Sequence, residues 1–496
     1  MDGSRIAMHL TETPPSTLSR SEQVARVVLL TALYAAIGLT CLRTSPGSDL
    51  DIWWQMRAGQ WIAHHHAFPH TDVFSRITPA RPWHAYSWLF DLLTLGLYRS
   101  FGFLGLMAYL IGFMLAITAA MYRMVARLQS DFTIAVLLTA AGALSVDRLY
   151  QPRSWLPSIL FFVVQLDLLD RARRSGQWRK LLWLLPLYAL WANLHIQFID
   201  GLVVLAATAC EPLLRRFWPW PQAPGVPASR LFAILGGCIV AAMANPYAWN
   251  IYHIAYKLAS EPGVINKIQE LLAMPFRHWE DYMILALAVG SAAALARKRM
   301  PDLWLSLLLA MGLVISFRSQ RDIWFVVSIA LLILASQLPG RGDAVRVPRW
   351  RRWQAATAVL ATTIAVMAAG GLLMHVSNAS LHKKMAKDLP LQAVEFVKEK
   401  GYSGPLFNNY GWGGFLIWHL HMPVSIDGRA AFYGIQRMNR SSQTWGGQPG
   451  WQDDANLKSA RLVIAPVKDA LTQLLRLDQE WKLVYEDKQA AVFVRR

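Results

Sequence analysis

Tyr86-Ser-Trp-Leu-Phe-Asp91-Leu-Leu-Thr-Leu-Gly-Leu-Tyr-Arg99-Ser100 is the stretch on which the topology of this chain depends. It is apolar enough to be taken for a membrane span. Counting it as one would move every later loop to the opposite side of the bilayer. It carries Asp91 and Arg99, however, and ionised groups are costly at membrane depth. The stretch is therefore read as an amphipathic helix lying in the outer interface. It belongs to one long external loop, residues 44–102.

Working outward, further apolar runs lie at 25–43, 103–122, 131–147, 154–170, 181–195, 199–214, 231–246, 281–296, 302–317, 322–338 and 354–375. A span needs about 20 apolar residues, so the runs predict about eleven transmembrane helices. The first has no small-residue cleavage site behind it and reads as a retained span. Basic clusters at Arg123 and Arg127, at Arg171, Arg173, Arg174, Arg179 and Lys180, at Arg215 and Arg216, at Arg297, Lys298 and Arg299, and at Arg341, Arg346, Arg349, Arg351 and Arg352 test the count. With eleven spans and a cytoplasmic N-terminus, all five clusters fall inside, as the positive-inside rule requires.

Composition agrees. Of 496 residues, 54% are hydrophobic and 16% charged, against about 25% charged in an ordinary soluble domain. A single soluble globule, a disordered chain and a small disulfide scaffold are excluded. The net charge of +18 is carried by membrane loops, and no basic stripe interleaved with aromatics points to nucleic acid. Cys41, Cys210 and Cys238 all sit in apolar segments and form no CxxC. The domains expected are a cytoplasmic tail (1–24), a multi-spanning membrane domain (25–375) and an extracytoplasmic α/β domain (376–496). The last is marked by a helical pattern at 388–400 and short apolar strands at Arg461–Ala465 and Ala490–Val494.

The external loop carries the candidate chemistry. It begins Ser48-Asp49-Leu-Asp51-Ile-Trp53-Trp54-Gln-Met-Arg-Ala-Gly59-Gln-Trp61-Ile62. Asp51 precedes a helical pattern and suits an N-cap, so both acids can be read as caps of a Trp-anchored interfacial helix. Alternatively, Asp51 or Asp49 is a general base, because group transfer to a hydroxyl needs a carboxylate near the departing proton. His64-His65-His66 and His70 with Asp72 invite a metal, but the spacing is not that of a structural zinc site. Exposed interfacial histidine is the stronger reading.

The pattern Asp51-x-Trp53-Trp54, Gly59-x-Trp61-Ile62, Pro69-x-Thr71-Asp72-x-Phe74-Ser75, Pro82-Trp83 and Ser87-Trp88-Leu89 resembles the GT-C superfamily of integral membrane glycosyltransferases. The resemblance is to its protein-mannosyltransferase and aminoarabinose-transferase type and to related bacterial proteins. It implies eleven to thirteen spans, an outer-face site, a polyprenyl-phosphate sugar donor and a loop acid as base. By resemblance that role falls on Asp51 or Asp49, and Arg81 matches a lysine that is a candidate phosphate contact. The chain departs from the pattern where Trp83 replaces a second Pro and where Asp-Leu-Asp replaces a paired Asp-Glu.

Other polar groups are predicted at the outer face. Asn193 and His195 close a tight hairpin and are either satisfied there or, with Asp72 and His84, contact sugar or acceptor. Arg148, Arg153, Arg318 and Arg321 run against the positive-inside trend and suit a lipid phosphate, since a guanidinium matches phosphate oxygens. Snorkelling to headgroups is the plainer reading. Glu270 is a further acid. In the outer domain, Tyr410, Trp412, Asp427 and Arg429 lie in a Gly- and aromatic-rich region that is either a packed turn or an acceptor-recognition surface.

The expected function is an inverting glycosyltransferase of the cell envelope, in the inner membrane, with its C-terminal domain in the periplasm. Its partners are the bilayer, a polyprenyl-phosphate sugar and a glycan, lipid or protein acceptor, with no nucleic acid. No cofactor is required by this reading, and a divalent metal is weakly supported. A lipid-linked glycan flippase would show broken helices and related halves. A non-catalytic glycan-binding scaffold would tolerate neutral replacement of Asp49 and Asp51.

Overall fold

Each apolar run is helical in the computed structural model, which describes residues 18–77, 81–220, 225–260, 263, 268–298, 300–340 and 352–496. In chain order the helices are α1 (Arg20–Arg43), α2 (Ile52–His65), α3 (Trp88–Phe101), α4 (Phe103–Leu128), α5 (Phe132–Ser145), α6 (Trp155–Ser175) and α7 (Leu184–Leu194). They continue with α8 (Phe198–Leu214), α9 (Ala228–Ala242), α10 (Asn250–Ala259), α11 (Trp279–Ala296), α12 (Leu303–Arg318), α13 (Ile323–Gln337) and α14 (Arg352–Leu373). By length and composition, Arg20–Arg43, Phe103–Leu128, Trp279–Ala296, Gln320–Gln337 and Trp353–Leu373 can cross a membrane, and α5, α9 and α12 are shorter apolar helices. The chain is mainly helical, and among the described residues five helices are long and apolar enough to cross a membrane. Of the basic clusters, Arg299, Arg341, Arg346, Arg349 and Arg351 lie outside the described residues.

Local sequence explains the helix starts. Ser19 and Glu22 form a capping box on α1, with the Glu22 amide donating to Ser19 Oγ at 3.1 Å and the Ser19 amide to Glu22 Oε2 at 2.8 Å. Asp131 and Asp302 cap α5 and α12 through backbone amides. α13 is buried on all sides from Ile323 to Ala335, as expected of an all-apolar helix at a bundle centre.

Ion pairs reveal which helix ends meet. Arg127 at the end of α4 pairs with Asp167 and Asp170 of α6 at 2.7 and 2.8 Å. Arg173, at the end of α6, reaches Glu211 of α8 at 3.3 Å and Asp302 before α12 at 3.4 Å. These basic groups therefore gather at one end. At the other end, Arg148 after α5 pairs with Asp281 in the first turn of α11.

α3 starts and finishes at this second end. Its first residue, Trp88, donates to Asn193 Oδ1 in the last turn of α7 at 2.6 Å. At its last residue, Phe101 O accepts from Asn378 Nδ2 at 3.0 Å, just beyond α14. Both ends of α3 therefore lie at the same end of the bundle. The helix packs on α2, where Gly59 meets the α3 backbone so closely that an added Cβ would overlap the Asp91 carbonyl oxygen. Gly59→Ala is expected to destabilise the protein by about 1–3 kcal/mol, the cost of overpacking. Thermal melting in detergent checks this, and an unchanged melting point would show that the two helices can part freely.

The C-terminal region adds α15 (Asn378–Asp388), α16 (Leu391–Glu399), α17 (Gly413–Leu420), α18 (Ala430–Trp445) and α19 (Ala470–Leu477). Strands β1 (Leu406–Asn408), β2 (Leu462–Pro466), β3 (Trp481–Glu486) and β4 (Ala490–Arg495) form one sheet in the order β1-β2-β4-β3. β1 and β2 are parallel, and the other pairs are antiparallel. Alternation in β2 and β4 gives each face its own core. Leu462, Ile464, Ala490 and Val492 join the core that runs into the helical bundle through Phe415 and Trp53. Val463, Ala465, Ala491 and Phe493 pack with Trp445 and Leu471 on the far side.

Candidate functional site

A cavity of about 840 Å³ opens at the end of the bundle where α3 begins. Its wall is drawn from the long loop (Asp51, Trp54, Arg81, His84), from turns between helices (Arg153, His195, Arg318, Arg321) and from the C-terminal region (Gly428, Arg429). Three regions far apart in sequence thus meet on one space.

The two loop acids play different parts. Asp49 Oδ1 accepts from the amides of Asp51 at 2.8 Å and Ile52 at 3.1 Å, so Asp49 caps α2. The expectation that the Asp51 side chain caps the helix is corrected. Asp51 occupies the N-cap position but its carboxylate makes no capping bond, because it is drawn to other partners. Its Oδ1 accepts from Trp54 Nε1 at 3.0 Å, and its Oδ2 pairs with Arg153 Nη1. Burial pushes the Asp51 carboxyl up; Arg153 opposes this and Asp49 adds to it, leaving it above the ordinary carboxylate value. Gly428 closes over it, and any Cβ there would overlap Asp51 Oδ1. A glycine is required for this approach.

The arginines also divide. Arg153 is engaged by Asp49 at 2.5 Å, by Asp51 and by Glu270 at 3.5 Å. Arg148 pairs with Asp281. Arg321 has no carboxylate at ion-pair distance among the described residues, and its Nε is buried there without a hydrogen-bond partner. Its Nη2 donates to His195 Nε2 at 3.3 Å, and the guanidinium lies over the Trp155 ring at 5.1 Å. That bond makes His195 Nε2 an acceptor and leaves Nδ1 to donate to Ser158 Oγ at 2.8 Å. Arg318 lines the same wall, and Arg81 Nη1 reaches Tyr433 O at 3.4 Å.

A buried ionic knot ties the long loop to the C-terminal region. Arg429 donates to Asp72 at 2.6 Å and to both oxygens of Asp427 at 2.8 and 2.7 Å. Tyr433 OH donates to Asp427 Oδ2 at 2.7 Å. The guanidinium also lies over Trp83 and Phe432, each at 4.9 Å. Beside the knot, Phe74 O and Val424 O accept from the amides of Val424 and Arg76, both at 3.0 Å. Burial pushes Asp72 up, but Arg429 and the Ser75 hydroxyl outweigh it and hold the carboxyl below its usual range.

The remaining expected residues are spread. His84 faces the cavity near Asn250, with Nε2 3.4 Å from Nδ2. Burial and the nearby His70, Lys257 and His253 hold it below the usual imidazole value. Asn193 is used by Trp88 and by the Ala189 and Ala244 carbonyls, the latter two at 2.7 Å, and does not line the cavity among the described residues. Tyr410 donates to Gly428 O at 3.1 Å, behind Asp51. Trp412 packs against the core. Asp72 and Asp427 sit in the knot.

Sequence reasoning missed Asp322, His253, Lys257 and Gly428, all on the wall. His253 and Lys257 stand four apart on α10, a spacing that places them on one face. Asp322 follows Arg321 and accepts from Gln197 at 2.7 Å.

No three His, Cys, Asp or Glu groups among the described residues are arranged to hold a metal ion. His65 stacks on Trp61, with ring centroids 4.3 Å apart. Asp49, Asp51 and Glu270 do converge, but on the Arg153 guanidinium, so the residues present do not fit a divalent ion.

No family model matches the sequence, and no curated protein resembles it in sequence. Solved structures do share its fold. The oligosaccharyltransferase of Archaeoglobus fulgidus, in complex with zinc and sulfate, superposes with a TM-score of 0.51 at 10% identity, over 88% of this chain and 68% of that one. The arabinofuranosyltransferase AftD from Mycobacteria gives a TM-score of 0.51 at 13% identity, over 97% of this chain but only 40% of its own length. A looser likeness, TM-score 0.44 at 12% identity, is to ArnT from Cupriavidus metallidurans bound to undecaprenyl phosphate. The first two likenesses show that the chain shares a fold with these two solved structures.

Proposed function

We propose that the chain is a membrane glycosyltransferase that moves a sugar from a polyprenyl-phosphate donor to an acceptor hydroxyl on the extracytoplasmic face. In this reading residues 25–375 span the inner membrane about eleven times from a cytoplasmic N-terminus, and residues 376–496 lie in the periplasm. The observation that carries it is one cavity holding both a paired carboxylate, Asp51, and an arginine, Arg321, whose Nε is buried without a partner among the described residues. A base and an anion-binding group facing one space are what transfer from a phosphate requires.

Asp51 Oδ takes the proton from the acceptor hydroxyl. The acceptor oxygen attacks the anomeric carbon from the face opposite the phosphate, and a new C–O bond forms with inversion. The old C–O bond breaks, its electron pair stays on the phosphate oxygen, and polyprenyl phosphate leaves. Arg321, with Arg318 and Arg81, receives the developing charge, since a guanidinium matches phosphate oxygens in pairs. His195, kept neutral by burial and by the neighbouring Arg321 charge, and His84 face the sugar or acceptor.

Arg321→Gln is expected to weaken binding of a polyprenyl phosphate by about ten- to hundred-fold, the worth of a charge-assisted hydrogen bond. Native mass spectrometry of the detergent-solubilised protein reads this out, with the neutral polyprenol as control. Unchanged binding, or equal binding of the polyprenol, would remove the phosphate from this site.

A further inference from the structure

Three carboxylates, the proposed base Asp51 among them, converge on a cation that belongs to the chain itself. Asp49 comes from the loop before α2, Asp51 from its N-cap, Glu270 from the turn Gln269–Leu271, and Arg153 from the turn before α6. Each guanidinium nitrogen answers a different acid: Nε to Asp49 at 2.5 Å, Nη1 to Asp51, and Nη2 to Glu270 at 3.5 Å. The group is fixed from other sides as well. It lies over the Trp155 ring at 5.0 Å, and the Arg153 carbonyl accepts from Tyr109 OH at 3.1 Å. Only 13% of the Arg153 side chain is exposed.

A divalent ion held by such carboxylates needs their oxygens at about 2.0–2.6 Å. It cannot share that point with a guanidinium. Arginine keeps its charge at any physiological pH, so the place is permanently taken by a cation that neither exchanges nor titrates. We propose that Arg153 is the resident cation of the Asp49–Asp51–Glu270 centre, standing where the carboxylates would otherwise gather a divalent metal ion, so that the chain works without one. Arg153 is then a positioning residue: it aims Asp51 Oδ2 and offsets the charge of its neighbours, while Trp54 holds Oδ1. The consequence for transfer rests on the glycosyltransferase reading; the occupancy of the centre does not.

The experiment is an Mn²⁺ titration of the purified full-length protein in detergent, followed by electron paramagnetic resonance. Wild type and Arg153→Lys are expected to bind no stoichiometric Mn²⁺. Arg153→Met, which empties the centre but keeps most of the side-chain volume, is expected to bind one Mn²⁺ and to lose it when Asp51→Asn is added. Wild type binding one Mn²⁺ that Asp51→Asn removes would overturn the proposal, as would a folded Arg153→Met that binds none. Should Arg153→Met fail to fold, the wild-type and Arg153→Lys titrations decide in the same terms. In membranes, a chelator is expected to leave wild-type transfer unchanged. If the transferase reading is wrong, no transfer is found with or without a chelator, and the Mn²⁺ result stands on its own.

Discussion

Asp51→Asn is expected to lower transfer by about 10²–10⁴-fold, the contribution of a positioned general base, while the protein stays folded. The carboxamide has the shape of the carboxylate and keeps an oxygen for Trp54 Nε1. Arg153 retains Asp49 and Glu270, so its charge is not stranded. What is lost is a basic oxygen on the cavity wall. Asp49→Asn separates the two acids. Its Oδ1 can still accept from the Asp51 and Ile52 amides, so the cap survives and transfer should fall far less.

The same assay has a pH signature. Asp51 works as the carboxylate, and burial raises its pKa above the ordinary Asp value of about 3.9. Activity should therefore fall as pH drops through a midpoint displaced upward from that value. Equal transfer by Asp51→Asn and wild type would make Asp51 an anchor for Arg153 and not a base.

Arg429→Met is the second large effect. It is expected to cost about 3–5 kcal/mol, because it strands two buried carboxylates. The side chains of Arg429 and Asp72 are each 2% exposed, and that of Asp427 is 0%. The Asp72 contribution has a defined sign. Its pKa is depressed in the fold, so its stabilisation is fully present above the unfolded value of about 3.9 and is lost as pH falls through the lower folded value. Limited proteolysis should find wild type resistant between residues 429 and 450 at neutral pH, and Arg429→Met cleaved there. Equal resistance would mean that the flanking strand-like contacts of Phe74, Arg76 and Val424 hold the C-terminal region by themselves.

These two sites show what a sequence can and cannot disclose. The apolar runs and the stretch 86–100 were legible because helix burial repeats locally, and the charges Asp91 and Arg99 argued against a span. Asp51 and Arg321 were legible as charges at helix ends near the expected outer face. Their partners were not. Arg153 meets Asp51 from 102 residues away, and Arg429 meets Asp72 from 357 residues away. No local pattern records such a pairing. Asn193 and Asp427 were open in the sequence between a packed turn and a recognition surface, and the partners that Asn193 and Asp72 take within the chain, Trp88 and Arg429, lie too far away in sequence to be read there. Lys257 and His253 went unnoticed because α10 sits in a long loop with no other chemical signal.

In the proposed reaction a lipid-linked sugar is consumed at the Asp51 cavity. The most direct measurement is mass spectrometry of membrane lipids from cells expressing the chain, cells lacking it, and cells carrying Asp51→Asn at equal protein level. One polyprenyl-phosphate sugar is expected to accumulate in both the deletion and the Asp51→Asn cells, with loss of one surface glycan. Lipid-linked sugars and glycans that are identical in all three would contradict it.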